Sequence, residues 1–220
     1  MRAPRRAVGY LVPVSWLTAT VYDYTLHSAE RACLGGWRSE LLGPLHGNVL
    51  ELGAGTGLNL ERYPEDISSV TLVEPDPAMR HRLKRAVSHS ALRLRAHVIE
   101  ASAESLSFDS GSFDAVVGTL VLCSVSSVEQ TLAEAKRVLR PGGTLALIEH
   151  VSAPQQTNRH QWQKWLAPAW SGLADGCQLL RDPRCAIESA GFETVRISER
   201  EMKGVPWFIK PAIVGTWVLR

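Results

Sequence analysis

The stretch VLELGAGTG, residues 49–57, decides the fold of this chain. An apolar run typical of a buried strand leads into three glycines spaced two apart, and a helical pattern follows near Leu58–Tyr63. Glycines let the backbone turn tightly and approach a ligand closely, and the first turn of a helix offers free N–H groups to it. The sequence therefore predicts a strand, a ligand-binding loop and a helix in succession.

An acidic residue, Glu74, supports a cofactor site at this glycine loop. Glu74 stands at the end of the next predicted strand, where a carboxylate can accept hydrogen bonds from both hydroxyls of a ribose. Leu58 occupies the position where a dinucleotide-binding loop usually has its third glycine, which favours S-adenosylmethionine over a nicotinamide dinucleotide. A sulfonium ligand has no pyrophosphate to cradle. We expect cofactor contacts from Glu51, Gly53, Ala54, Gly55, Gly57, Glu74 and Pro75.

Length and composition are those of one globular domain. The chain has 220 residues, 45% of them hydrophobic and 21% charged. A net charge of +2 is too small to indicate nucleic acid as a partner. None of the four cysteines forms a C-x-x-C pair, so the sequence indicates neither a metal site nor a thioredoxin-like motif. Scattered free thiols are typical of the cytoplasm, which is the predicted location.

The first residues resemble only the beginning of a targeting signal. Arg2, Arg5 and Arg6 precede an apolar stretch, but Pro13 breaks it and no A-x-A cleavage site follows, unlike in a signal peptide. No run of about 18 apolar residues occurs, so no spanning helix is expected. A peripheral membrane contact through residues 2–22 stays open.

Short apolar runs alternate with helical patterns along the chain. Strands are predicted at Asn48–Leu52, Val70–Glu74, Ala96–Glu100, Phe113–Leu120, Thr144–His150, Glu193–Ser198 and Ile213–Leu219. Helices are predicted at Pro77–Ser88 and Ser127–Leu139, and residues 155–190 are predicted to be mostly helical. Such alternation predicts a parallel sheet covered on both faces, and the short last connection predicts an antiparallel pair.

One domain with three parts is the simplest organisation. Residues 1–46 form an N-terminal helical segment, residues 47–152 the cofactor-binding core, and residues 153–220 further helices and the last two strands.

With FDAVV at 113–117 and RVLRPGG at 137–143, the chain resembles the class I S-adenosylmethionine-dependent methyltransferase superfamily. The resemblance implies a Rossmann-like α/β fold, with helices on both faces of a seven-stranded, mostly parallel sheet that has one antiparallel strand. It places adenine contacts in ASAESLSF, residues 101–108, where many members have Asp instead of Ser102. Serine cannot hold a charge, so the Ala103 N–H is a candidate adenine contact, and Ser102 as a helix N-cap is an alternative. Further cofactor contacts are expected at Ser102, Ala103, Glu104, Thr119 and Leu120.

Three more stretches narrow the resemblance. TLVLCSV at 119–125, IEHV at 148–151, and WLAPAW at 165–170 followed by DGC at 175–177 are similar to the methyltransferase-like family that includes the alkyl thiol S-methyltransferases. This implies methylation of a small apolar acceptor, with a thiol preferred. Methylation of oxygen or carbon in a quinone or polyketide-like molecule, methylation of a phospholipid amine, and a noncatalytic S-adenosylmethionine-binding module remain alternatives.

Catalytic candidates follow the strands, whose carboxyl ends form the ligand crevice. His150 ends the fifth strand and is a candidate base or acceptor-positioning group, because an unperturbed histidine titrates near pH 6.5. Cys123 follows the fourth strand, and Asp175 is a candidate to orient His150 or accept a proton. A packed histidine, a small buried cysteine and a turn residue before Gly176 are the respective alternatives.

Trp162, Trp165 and Trp170 fall close to one helical face, although Pro168 is expected to interrupt the helix. This aromatic stripe is predicted either to pack in the core or to form an apolar lid over the crevice.

Overall fold

The computed structural model describes residues 27–174 and 176–219 and contains a central sheet. Its strands are β1 Asn48–Leu52, β2 Ser69–Val73, β3 Ala96–Ile99, β4 Phe113–Thr119, β5 Leu139–His150, β6 Phe192–Glu201 and β7 Pro211–Leu219. They lie in the order β3-β2-β1-β4-β5-β7-β6, and β7 runs antiparallel to both of its neighbours, β5 and β6. The predicted seven-stranded, mostly parallel sheet with one antiparallel strand is confirmed.

Helices cover the sheet. They are α1 Gly35–Leu42, which follows a π-helical turn at Glu30–Leu34, then α2 Pro77–His89, α3 Val128–Val138, α4 Asn158–Leu173 and α5 Arg184–Ser189. Short 3₁₀ turns occur at Leu60–Arg62 and Trp207–Ile209. Side-chain caps begin three of the helices, because Asp76, Ser127 and Thr157 each accept a backbone N–H of the first turn.

Two apolar clusters, one on each face of the sheet, form the core. Val117 of β4 packs in the cluster that includes α1 and α2, whereas the adjacent Val116 packs in the cluster that includes α3 and α5. The same alternation separates Ile148 from Leu147 in β5. Successive side chains of a strand point to opposite faces of the sheet, and both faces are buried here. A strand that is buried on both faces needs apolar residues at successive positions, which explains the continuous apolar runs of the sequence.

The helix predicted at Leu58–Tyr63 is wrong. Only the 3₁₀ turn Leu60–Arg62 forms there, and Tyr63 is extended, with ψ of 146°. Pro64 explains the difference, because a proline disfavours helical geometry in the residue before it. The glycine loop therefore does not lead directly into a helix N-terminus.

Pro168 does not interrupt its helix, since α4 runs through it. The predicted strand Thr144–His150 is longer, because β5 begins at Leu139 and includes residues 140–143, which were predicted to form a turn. The pairing of β5 with β4 is irregular there, since it passes from Leu139 to Thr144. In the mostly helical stretch predicted at 155–190, the described residues between α4 and α5 are not helical. Residues 2–22 lie outside the described residues. No described helix is long and apolar enough to cross a membrane.

Candidate active site

A cavity of about 390 Å³ opens at the carboxyl ends of the parallel strands, a common size for a small-molecule site. It lies where the strand order changes direction between β1 and β4, which is where open α/β sheets usually bind ligands. The predicted cofactor contacts that line it are Gly53, Gly55, Glu74, Pro75, Ser102, Ala103, Glu104, Thr119 and Leu120. Glu51, Ala54 and Gly57 do not line it.

The glycine loop has one face open to the cavity. Gly53 and Gly55 both have φ of +57°, in the left-handed region that side chains rarely adopt. A Cβ atom built on Gly53 would lie 2.6 Å from Val121 Cγ2, whereas one built on Gly55 would meet no atom of the described part of the chain within 4 Å. Gly53 is therefore required for packing, and Gly55 leaves space that a ligand can occupy.

Glu74 joins the end of β2 to this loop. Its Oε2 accepts the Gly55 N–H at 2.8 Å, and its Oε1 accepts the Asp76 N–H at 2.9 Å. The structure thus adds a loop-holding contact to the ribose contact expected from the sequence.

Ser102 and Glu104 line the same cavity and are joined by a hydrogen bond. The Ser102 hydroxyl donates to Glu104 Oε2, while Glu104 Oε1 accepts the backbone N–H groups of Ser126 at 2.6 Å and Ser127 at 3.1 Å. Burial acts to raise the pKa of Glu104, but these hydrogen bonds hold it below the ordinary value. No helix begins at Ser102, so the alternative of an N-cap is wrong.

Glu51 belongs to a buried polar network behind the loop. It accepts hydrogen bonds from Tyr63 Oη at 2.6 Å and Asn59 Nδ2 at 2.9 Å. Arg38 of α1 donates to Asn59 Oδ1 at 2.8 Å and to Thr119 Oγ1 at 2.7 Å. Burial raises the pKa of Glu51 to about 7 against these partners. The network connects the N-terminal helix to Thr119 on the cavity wall.

Glu149 fixes the loop after β4. Its side chain is fully buried, Oε1 accepts the N–H groups of Val121 at 2.9 Å and Leu122 at 2.8 Å, and Oε2 accepts that of Cys123 at 3.3 Å. Burial raises the pKa of this carboxyl to about 7, although the three hydrogen bonds act to lower it. Sequence reasoning missed Glu149, whose only signal is an acid near the end of a buried strand.

His150 lines the cavity and is 3% exposed. Neither Nδ1 nor Nε2 has a hydrogen-bond partner among the described residues. Burial lowers its pKa from 6.5 to about 4, so the ring is neutral at physiological pH. The expectation of an unperturbed histidine is wrong, and so is the alternative of a packed, hydrogen-bonded one. What remains is a neutral ring that has one donor and one acceptor for a ligand.

Cys123 meets a second cysteine in the cavity wall. Cys123 is 4% exposed, Cys177 is half-buried, and both line the cavity. The Cys123 thiol donates to the Leu120 carbonyl oxygen, with 3.5 Å between Sγ and the oxygen. Interaction with the neighbouring Cys177 raises the pKa of Cys123, with burial adding to the effect, and the same interaction lowers the pKa of Cys177. No sequence pattern indicated this pair. Asp175 lies outside the described residues.

The tryptophan stripe divides between cavity and solvent. Trp170 lines the cavity, but Trp162 and Trp165 are 46% and 80% exposed. Their rings contact each other edge to face at 5.7 Å between centroids. The stripe is therefore not a core element, and only Trp170 covers the crevice.

Comparison with known proteins identifies the family. A family model described as a methyltransferase domain matches residues 50–147. The chain is 35% identical over 198 residues to thiol S-methyltransferase TMT1A of Homo sapiens, covering 89% of this chain and 80% of that protein. It is 42% identical over 173 residues to thiol S-methyltransferase TMT1B of Mus musculus, covering 77% and 70%. The chain belongs to the class I S-adenosylmethionine-dependent methyltransferases, in the family that contains the thiol S-methyltransferases.

A solved relative agrees with the fold of this methyltransferase. Geranyl diphosphate C-methyltransferase from Streptomyces coelicolor, in complex with Mg²⁺, geranyl diphosphate and S-adenosyl-L-homocysteine, superposes with a TM-score of 0.70. The sequences are 15% identical, and the match covers 90% of this chain and 84% of that one. S-adenosylmethionine is the cofactor of the methyltransferase, and the open space over Gly55 beside Glu74 fits such a ligand.

The methyltransferase has an apolar wall that no sequence pattern indicated. Met202, Val205 and Ile209, from the connection between β6 and β7, line the cavity together with Trp170. This connection lies far along the chain from the glycine loop, so only the folded sheet brings the two together.

Proposed function

We propose that this methyltransferase transfers the methyl group of S-adenosylmethionine to the sulfur of a small apolar thiol. The observation that carries the proposal is the buried imidazole of His150, which has no hydrogen-bond partner within residues 27–174 and 176–219 and lies in a cavity with an apolar wall. Relatives named as thiol S-methyltransferases, at 35% and 42% identity, support sulfur as the methylated atom. The wall formed by Met202, Val205 and Ile209 supports an apolar acceptor.

The cofactor occupies the glycine-loop side of the cavity in this proposal. Glu74 accepts hydrogen bonds from the ribose, and the backbone at Gly53 and Gly55 lies against the cofactor. The adenine lies near Ser102, Ala103 and Glu104, and contacts at Thr119 and Leu120 complete the site. All these residues line one continuous cavity.

S-adenosylmethionine supplies a methyl group that is already activated, so the protein mainly has to align the acceptor and exclude water. His150 performs the alignment, because its neutral ring can donate a hydrogen bond to a thiolate. It is a poor base for a thiol, since a group with a pKa near 4 holds a proton far more weakly than a thiolate does. The acceptor therefore ionises by itself, and the rate follows its thiolate fraction.

A matched acceptor series tests the proposal. Release of S-adenosylhomocysteine is measured with an alkyl thiol, the alcohol with the same carbon chain, and a panel of phenols, quinones and phospholipids. We expect turnover with the thiol and none with the alcohol, and a rate that rises with pH as the thiolate fraction of the acceptor grows. Methylation of a phenol, quinone or phospholipid but of no thiol would contradict the proposal. Binding of S-adenosylmethionine by calorimetry without turnover of any acceptor would also contradict it.

A further inference from the structure

Two cysteines from distant parts of the chain, Cys123 and Cys177, line the cavity. Cys123 belongs to the loop after β4, and Cys177 to the segment after α4. The Gln178 N–H donates to the Cys123 carbonyl oxygen at 2.8 Å. Arg181 Nη1 donates to the carbonyl oxygens of Leu122 and Val125, both at 2.7 Å. These contacts hold the two cysteine-bearing segments against each other.

The two thiols are not equivalent. Cys177 is half-buried at the cavity wall, whereas Cys123 is 4% exposed, so a ligand that enters the cavity reaches Cys177 first. The interaction with Cys123 lowers the pKa of Cys177, and the positive charge of Arg181 lowers it further. The thiolate is the nucleophile of disulfide exchange, which makes Cys177 the better attacking group.

We propose that Cys177 and Cys123 form a thiol–disulfide exchange site whose ligand is the disulfide of a small apolar thiol. The geometry assigns the attacking role to Cys177, the more exposed of the two, and the resolving role to the buried Cys123, which lines the same cavity. The apolar wall of the cavity suits the organic part of such a ligand.

The reaction balances in two steps. The Cys177 thiolate attacks one sulfur of the disulfide RSSR, forming a mixed disulfide and releasing RS⁻. The Cys123 sulfur then attacks Cys177 Sγ, a second RS⁻ leaves, and the Cys123 proton passes to it or to solvent. The cysteine pair loses two electrons and the ligand gains them, so one disulfide becomes two thiols. A small-molecule thiol reductant returns the pair to its reduced form.

Exchange goes beyond the proposed methylation, because it requires no S-adenosylmethionine. On the proposed function, the second released thiol forms inside the cavity that also holds the methyl donor. An oxidised acceptor would then become a source of the reduced one.

The test uses a chain in which both cysteines outside the cavity are replaced, Cys33→Ser with Cys185→Ser. The reduced protein is mixed anaerobically, without cofactor, with 4,4′-dithiodipyridine, whose reduction releases the chromophore 4-thiopyridone. We expect two thiopyridones per chain and an intact mass lower by two hydrogen atoms, as for a Cys123–Cys177 disulfide. Retention of thiopyridine adducts on both cysteines would overturn the proposal.

Single replacements in that background assign the roles. Cys123→Ser should release one thiopyridone and keep a stable mixed disulfide on Cys177, and Cys123→Ala serves if the serine variant does not fold. Cys177→Ser should react at least about tenfold more slowly, because Cys123 is buried and has a raised pKa. Equal rates for the two single variants would refute the assignment of attacker and resolver. Methyl transfer is not read out, so failure here is distinguishable from failure of thiol methylation.

Discussion

Replacing Glu149 by alanine should destabilise the protein severely, because it leaves three buried backbone N–H groups without an acceptor. The contacts to Val121 and Leu122, at 2.9 and 2.8 Å, are the well-made ones. A buried group left unsatisfied costs about 1–3 kcal/mol, so these two alone cost about 2–6 kcal/mol. Folded domains are usually stable by roughly 5–15 kcal/mol, so this loss is a large part of the total free energy of unfolding.

Glutamine provides the matched control. Oε1 of Glu149→Gln can accept both short bonds, and only the 3.3 Å contact to Cys123 is lost, at a cost of about 1 kcal/mol. Free energies of unfolding are measured in urea by the fluorescence of the seven tryptophans. An alanine variant as stable as the glutamine variant would refute the view that Glu149 holds this loop.

The pH dependence separates burial from hydrogen bonding. The pKa of Glu149 is raised from 4.5 to about 7, so the native state binds more protons than the unfolded state between these pH values. Its contribution to stability is full below pH 4.5 and decreases as pH rises through 7, by roughly 3 kcal/mol. Glu149→Gln lacks this titration, so the wild type should lose stability relative to it between about pH 4.5 and 7. The opposite trend would mean that the three N–H donors outweigh burial.

Three further substitutions test the cavity. Gly55→Ala places a methyl group in the open space at the cavity and should abolish S-adenosylmethionine binding, measured by calorimetry. The control is Gly111→Ala, because Gly111 has φ of +68° and equally open space but lies away from the cavity. This control variant has the same backbone strain of about 1–2 kcal/mol and should bind the cofactor normally. Glu74→Ala should weaken cofactor binding roughly ten- to hundredfold, since truncating a hydrogen-bonded charge costs about 1.5–3 kcal/mol, and a loss under about twofold would place the ribose elsewhere. His150→Phe should be at least as stable as the wild type, because it removes two unpartnered buried nitrogens, yet methylate roughly tenfold more slowly at every pH from about 6 to 9. A deficit that shrinks with rising pH would restore His150 as a base.

The sequence by itself determined the order of strands and helices and the edge of the sheet that carries the cavity. Both follow from local physics, because the alternation of apolar patterns selects each element and the glycine loop has to follow a strand. The prediction from the sequence failed between residues 58 and 63, because Pro64 disfavours the expected helix and only one 3₁₀ turn forms.

Only the tertiary structure decided the chemistry around His150, Cys123 and Cys177. Burial makes His150 neutral, which a sequence pattern cannot show because the pKa depends on groups from several elements around the ring. Glu149 and the loop it holds meet through folding of β5 beside β4. Cys123 and Cys177 are unrelated in spacing, and they become a pair because the segment after α4 packs on the loop after β4 through Gln178 and Arg181.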